Sequence, residues 1–127
     1  MAWIKCDVLI RENKKIRKLC GLTGWNTYEC IGRMVALWAW CLKNQEDGYL
    51  SGMDPLEYLD DIKGDLSAPA LEEYLMQCGL VDRRPKRIHD WLQFADRYLI
   101  RKYQNNHIQI LQEIWQKHGE VYGERKR

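Results

Sequence analysis

Four cations stand within five positions, Arg83, Arg84, Lys86 and Arg87, around a single proline. Guanidinium and ammonium groups on an exposed tip bind phosphate oxygens, and a flexible basic tip can reach into a minor groove. The bland alternative is a solvated turn whose charges keep a hairpin edge from pairing with other chains. A second basic group, Arg11, Lys14, Lys15, Arg17 and Lys18, falls on one short helical stretch. It could follow a phosphate backbone or be an ordinary solvated face. Arg97 and Arg101, with Lys102 beside them, make a third group. Arg97 and Arg101 are one helical turn apart and share a face.

The other reactive side chains point away from catalysis. His89-Asp90 beside Trp91 lacks a nucleophile at usable spacing, so a structural His and an N-capping Asp are expected. His107 and His118 have no acidic ligand pattern around them, and no metal is expected. Five cysteines, Cys6, Cys20, Cys30, Cys41 and Cys78, form an odd set without CxxC spacing. Reduced structural thiols are expected, behaving as small hydrophobes. Asp54, Glu57, Asp60, Asp61 and Asp65 lack the alternation of a calcium loop. Glu57, Asp60 and Asp61 read instead as a solvated face or as a dock for a basic partner. Gly21 to Gly24 lacks the GK[ST] ending of a phosphate loop.

The elements that must position these residues follow from caps and periodicity. Residues 3–10 read as an extended lead-in. Arg11 to Cys20 reads as a basic helix with Ile16, Leu19 and Cys20 on one face, stopped by Gly21. A helix capped at Thr27 runs to about Asn44 and is apolar nearly all round, with Ile31, Val35, Trp38 and Leu42 as one stripe. Asp47-Gly48 is a turn, and Tyr49 to Ser51 a short strand. Asp54 and Pro55 open a helix to about Lys63, with Leu56, Leu59 and Ile62 inward. Ser67 caps the next, carrying Leu71, Tyr74, Leu75 and Cys78. Leu80-Val81 and Ile88 to Trp91 flank the basic tip as a hairpin. From Trp91 the pattern is helical to near His118, with Asn105-Asn106 as a break point. The polar tail from Gly119 is expected to fray.

A helix, short strand, helix, helix, hairpin and helix in that order is the order of a winged helix-turn-helix domain. At 127 residues, 46% apolar and 30% charged, one folded domain is expected. No signal-peptide core or membrane-length apolar run appears, so cytoplasmic residence without membrane contact is the expectation. Net charge is +2, but residues 1–44 carry +5, residues 45–82 carry −9 and residues 83–127 carry +6. Such a chain can present separate patches of each sign.

Met1 to Lys5 with Asp7, Leu37-Trp38, Asp47 to Gly52, Cys78 to Val81 and Arg87 to Trp91 together are similar to the N-terminal domain of phage replisome organisers. That group is related in architecture to DnaD-type primosome proteins. The resemblance spans about residues 1–103. It implies a winged-helix fold, a role in phage or mobile-element replication initiation, and DNA binding or self-assembly. It brings no catalytic residue. One departure stands out. The helix that would enter the major groove, residues 71–78, holds Glu72 and Glu73 and no Lys or Arg.

The resulting expectation is a mainly α-helical chain with a small β-hairpin. It is a winged helix-turn-helix with an extra N-terminal helix and a long C-terminal helix. Residues 1–103 would form the domain, and 104–127 a helical extension with a polar tail. Function would be non-catalytic DNA binding through Arg83, Arg84, Lys86, Arg87, Lys14, Lys15, Lys18, Arg97 and Arg101. No cofactor, metal or small-molecule substrate is expected. The alternative is a self-assembling or partner-binding domain using Glu57, Asp60, Asp61, Leu111 and Trp115, with a homo-oligomer or a replication protein as partner. A transcriptional regulator is a weaker third reading. Leu111 and Trp115 belong to a trailing stripe, with Ile110 and Ile114, that suits packing across the domain or dimerisation.

Overall fold

Asn26, not Thr27, opens the central helix: its side chain accepts the Glu29 amide at 2.8 Å, and α2 runs Thr27–Asn44. The reason is geometric, since a side-chain oxygen there reaches N3 of the helix. The computed structural model describes residues 13–123. The expected lead-in at 3–10, Arg11 and the last tail residues lie outside the described residues. Cys30, Met34, Leu37, Trp38, Cys41 and Leu42 form the buried face of α2. Ile31, Val35 and Trp40 are only partly buried, so the helix is one-sided rather than apolar all round. Phe94 stacks on Trp38 with ring centroids 4.4 Å apart.

Before α2 lies α1, Lys14–Thr23, capped by the Asn13 side chain. Gly21 does not stop it. The helix continues to Thr23, and Gly24 ends it at φ +81°, a left-handed conformation that glycine adopts without a Cβ clash. Ile16 and Leu19 are buried and Cys20 half-buried, so the expected face holds.

After α2 the chain turns through Asp47-Gly48. Tyr49 pairs with the hairpin at one bridge only, opposite Arg87, and Leu50 donates to the Lys86 carbonyl at 2.9 Å. The expected strand is therefore a single bridge. Helix α3, Pro55–Leu59, starts at an Asp54–Glu57 capping box but ends before Lys63. Tyr58 and Leu59 face inward, while Leu56 is 53% exposed rather than buried. Helix α4, Ala68–Cys78, opens at Ser67 and closes at Gly79 as expected.

Strands β1, Val81–Arg83, and β2, Lys86–Ile88, form a two-stranded antiparallel sheet in the order of the sequence. Its register pairs Val81 with Ile88, Asp82 with Arg87 and Arg83 with Lys86. Alternation puts Val81 and Ile88 into the core and the charged pair on the other face. Arg84 and Pro85 make the tip, joined by a cis peptide bond.

The long C-terminal helix is two helices. Helix α5, Trp91–Tyr103, ends at the Asn105-Asn106 segment, and α6, Ile108–Lys117, packs back on it. Asparagine competes with the helix through its own short side chain, and the core lies on one side only. Asp90 is no side-chain cap: it sits at φ +52° without a cap bond. The core is one cluster that includes Leu111, Ile114 and Trp115 together with α2, α4 and the hairpin. The molecule is thus mainly helical with a small antiparallel sheet.

Candidate nucleic-acid interface

The hairpin cations are largely held by carboxylates of the same chain. Arg83 meets Glu73 of α4 twice, Nη1–Oε1 at 3.0 Å and Nη2–Oε2 at 2.5 Å. That hydrogen bonding holds the Glu73 carboxyl below its usual range and raises the guanidinium. Lys86 donates to Glu72 at 3.1 Å and to the Met53 carbonyl at 2.7 Å, and its ammonium lies 5.5 Å from the Tyr58 ring centroid. Tyr58 donates to the same Glu72 oxygen at 2.5 Å; burial and then that bond push its phenol well above the ordinary value. Arg87 pairs across the sheet with Asp82 at 3.1 Å and donates to the Tyr49 hydroxyl at 3.0 Å.

Arg83, Lys86 and Arg87 are therefore not a free basic cluster. Glu72 and Glu73, the acidic residues of α4, are each paired with a hairpin cation. Only Arg84 remains exposed at the tip with no ion pair or hydrogen bond among the described residues.

Helix α1 is different. Lys14, Arg17 and Lys18 are exposed, fall at i, i+3 and i+4, and meet no carboxylate among the described residues. Lys15 departs from the group. It is half-buried, and its Cε lies 3.1 Å from where a Cβ on Gly79 would stand. Its stem covers the end of α4, where a cation suits the negative pole of the helix. Arg97 and Arg101 are exposed on α5 and meet no carboxylate among the described residues.

A groove of about 510 Å³ runs along the outer face of the hairpin. Arg84, Arg87 and His89 line it against Asp82, Asp90 and Glu120, so its charges are mixed. His89 Nδ1 lies 2.9 Å from Asp82. His118 closes one end; its Nε2 donates to the Asp47 carbonyl at 2.5 Å. Burial holds the imidazole below its ordinary value, and Arg87 adds to that, with the Asp47 carbonyl, Asp47 and Glu120 opposing.

The expected partner-binding residues separate. Glu57, Asp60 and Asp61 are exposed and line a second groove, about 440 Å³, with Trp40, Tyr58 and Ile62. Leu111 and Trp115 do not belong with them. They are 0% and 7% exposed, inside the core, and no partner reaches them in the folded chain. Sequence reasoning missed the pairing of hairpin cations with α4. Its signal was the acidic block immediately before the basic tip. It also missed Tyr49, Asp47 and His118 as one cluster, for which no short-range signal exists.

Among the described residues no group of three or more His, Cys, Asp or Glu is placed to hold a metal, and no helix is long and apolar enough to cross a membrane. No protein-family model, no curated protein and no solved structure matches the chain.

Proposed function

We propose that the chain is a winged helix-turn-helix domain that binds DNA without catalysis, chiefly through its phosphates. The observation that carries this reading is the exposed cation stripe of α1, Lys14, Arg17 and Lys18, which meets no carboxylate among the described residues. Unpaired cations release condensed counterions on meeting phosphate, whereas paired ones must first give up a carboxylate. Arg84, Arg97 and Arg101 supply further cations of the same kind. Base reading through α4 is a small part of this picture, since its carboxylates are occupied by the hairpin. A place in phage or mobile-element replication initiation rests on the sequence resemblance.

Titration into labelled duplex and single-stranded DNA at several salt concentrations tests the reading. The triple variant Lys14→Ala, Arg17→Ala, Lys18→Ala should weaken duplex binding. Its log-affinity slope against log salt should fall by roughly 0.9 for each phosphate it no longer neutralises. Wild-type protein that binds neither DNA at low salt sinks the proposal.

A second reading is favoured by one feature, the acidic rim of the groove between α2 and α3. Glu57, Asp60 and Asp61 beside Trp40 and Ile62 offer charge and apolar surface together to a basic protein partner. In that case Asp60→Lys with Asp61→Lys changes particle mass in light scattering and leaves DNA affinity no lower.

A further inference from the structure

Two thiols meet where α1 and α2 cross. Cys20 sits in the last turns of α1 and Cys30 at the end of the first turn of α2, with their sulfurs 3.1 Å apart. Cys30 is fully buried; Cys20 is half-buried, the more accessible of the two. Cys41 and Cys78 are buried elsewhere and have no sulfur partner among the described residues. A disulfide needs its sulfurs about 2.05 Å apart, so roughly 1 Å of side-chain motion would close the pair. The ends of α1 and α2 are joined by three residues, Gly24 to Asn26, and Ile16, Leu19 and Cys30 belong to one packed core. The two cysteines are therefore held at reacting distance by packing, not by chance loop motion.

We propose that Cys20 and Cys30 form a redox-active dithiol that takes a low-molecular-weight disulfide as co-reactant and closes to an intramolecular disulfide. Cys20 attacks first because it is the accessible sulfur. Its thiolate forms a bond to one sulfur of the oxidant, whose S–S bond breaks, and the departing thiolate takes up a proton. Cys30 then loses its proton and attacks the Cys20 sulfur. The mixed disulfide breaks, and the second small thiol leaves. Two protein S–H bonds become one S–S bond, and the oxidant is reduced to two thiols. Burial raises the Cys30 thiol to about 12, with Cys20 adding to the effect, so Cys30 is not the sulfur that attacks first. The bond would staple α1, with its cation stripe, onto α2. This site stands independently of the DNA-binding reading.

The full chain is incubated with mixtures of reduced and oxidised glutathione and characterised by intact mass and peptide mapping. The expected product is two hydrogens lighter and carries a Cys20–Cys30 linked peptide that dithiothreitol reverses. Cys30→Ser should stop at a stable glutathione adduct on Cys20. Cys20→Ser should leave Cys30 unmodified. The same linkage should form in Cys6→Ser protein. A wild-type chain that accumulates the Cys20 adduct, links Cys6 instead, or forms no bond in excess oxidised glutathione overturns the proposal.

Discussion

Arg83 and Glu73 face each other two-on-two, guanidinium against carboxylate, and fasten the hairpin to the helix that precedes it. Both side chains are about half exposed, so water and salt screen the pair. Its weight lies in where it holds the hairpin. Glu73→Gln should leave thermal stability nearly unchanged and release Arg83. If the hairpin touches DNA, duplex affinity rises and its salt dependence steepens. An unchanged affinity in the titration would place the hairpin outside the interface.

Lys86 is a less forgiving position. It is mostly covered and serves Glu72, the Met53 carbonyl and the Tyr58 ring at once. Lys86→Ala leaves Glu72 covered without its cation and should cost roughly 1–3 kcal/mol in denaturant unfolding. Arg84→Ala should cost almost nothing there. A four-alanine change of Arg83, Arg84, Lys86 and Arg87 would therefore mix reduced stability with reduced binding, and the α1 stripe is the cleaner place to test DNA binding.

Gly48 is fixed by its neighbour. It holds φ +74°, and a Cβ there would stand 2.4 Å from Cγ of Trp91. Trp91 is fully buried and donates to the Glu46 carbonyl at 2.7 Å, so it has no free direction in which to move. Gly48→Ala should cost about 2–4 kcal/mol from backbone strain and overpacking together. Urea unfolding measures it; a loss of only about 1 kcal/mol, the strain alone, would mean the indole can shift.

Trp115 separates packing from dimerisation. It lies in the core with Leu111 and meets Tyr122 edge-on, centroids 5.3 Å apart. Trp115→Ala should cost about 3–5 kcal/mol. Wild-type unfolding midpoints should not depend on protein concentration. A midpoint that rises with concentration would instead place a partner copy at this helix.

His118 makes stability depend on pH. Its folded-state value lies below the ordinary one, chiefly through burial, so the fold favours the neutral ring. The unfolded chain then binds the proton more tightly. Stability is full above the ordinary histidine value of about 6.5 and declines as pH falls below it, until the lowered folded value is passed. His118→Gln should flatten that part of the profile measured by thermal unfolding. An unaltered slope would assign the pH dependence to other groups.

What the sequence shows and what it hides divide along range. Caps at Asp54, Ser67 and Gly79 and the turn at Pro85 are local signals that fall where expected. The strands, however, reach in to Arg83 and Lys86 and end at Ile88, so three of the four hairpin cations lie on strands and Trp91 opens α5. The end of α1 is ambiguous in the sequence because Gly21 and Gly24 are both glycines, and only Gly24 takes the left-handed conformation. The Asn105-Asn106 break is visible, but the reversal of α6 onto α5 depends on Leu111 and Trp115 finding the core. The cation clusters are legible as clusters. Their pairing is not, because Glu72 and Glu73 reach Lys86 and Arg83 only after the hairpin folds back. Cys20 and Cys30 lack any recognised spacing and meet only through helix packing.

The turn at residues 47–49 is answered from far along the chain. The Tyr49 hydroxyl donates to the Lys117 carbonyl, Asp47 pairs with Lys117 at 2.8 Å, and His118 donates to the Asp47 carbonyl. These bonds span 68 to 71 residues. A ribosome that has just made the turn must add α3, α4, the hairpin and two more helices before its partners exist. Closing so large a loop comes late and costs entropy before its bonds form. Until then the Tyr49 hydroxyl, which accepts from Arg87, lacks its own acceptor at Lys117. The hairpin would reach its final stiffness last, although its residues are in the middle of the chain.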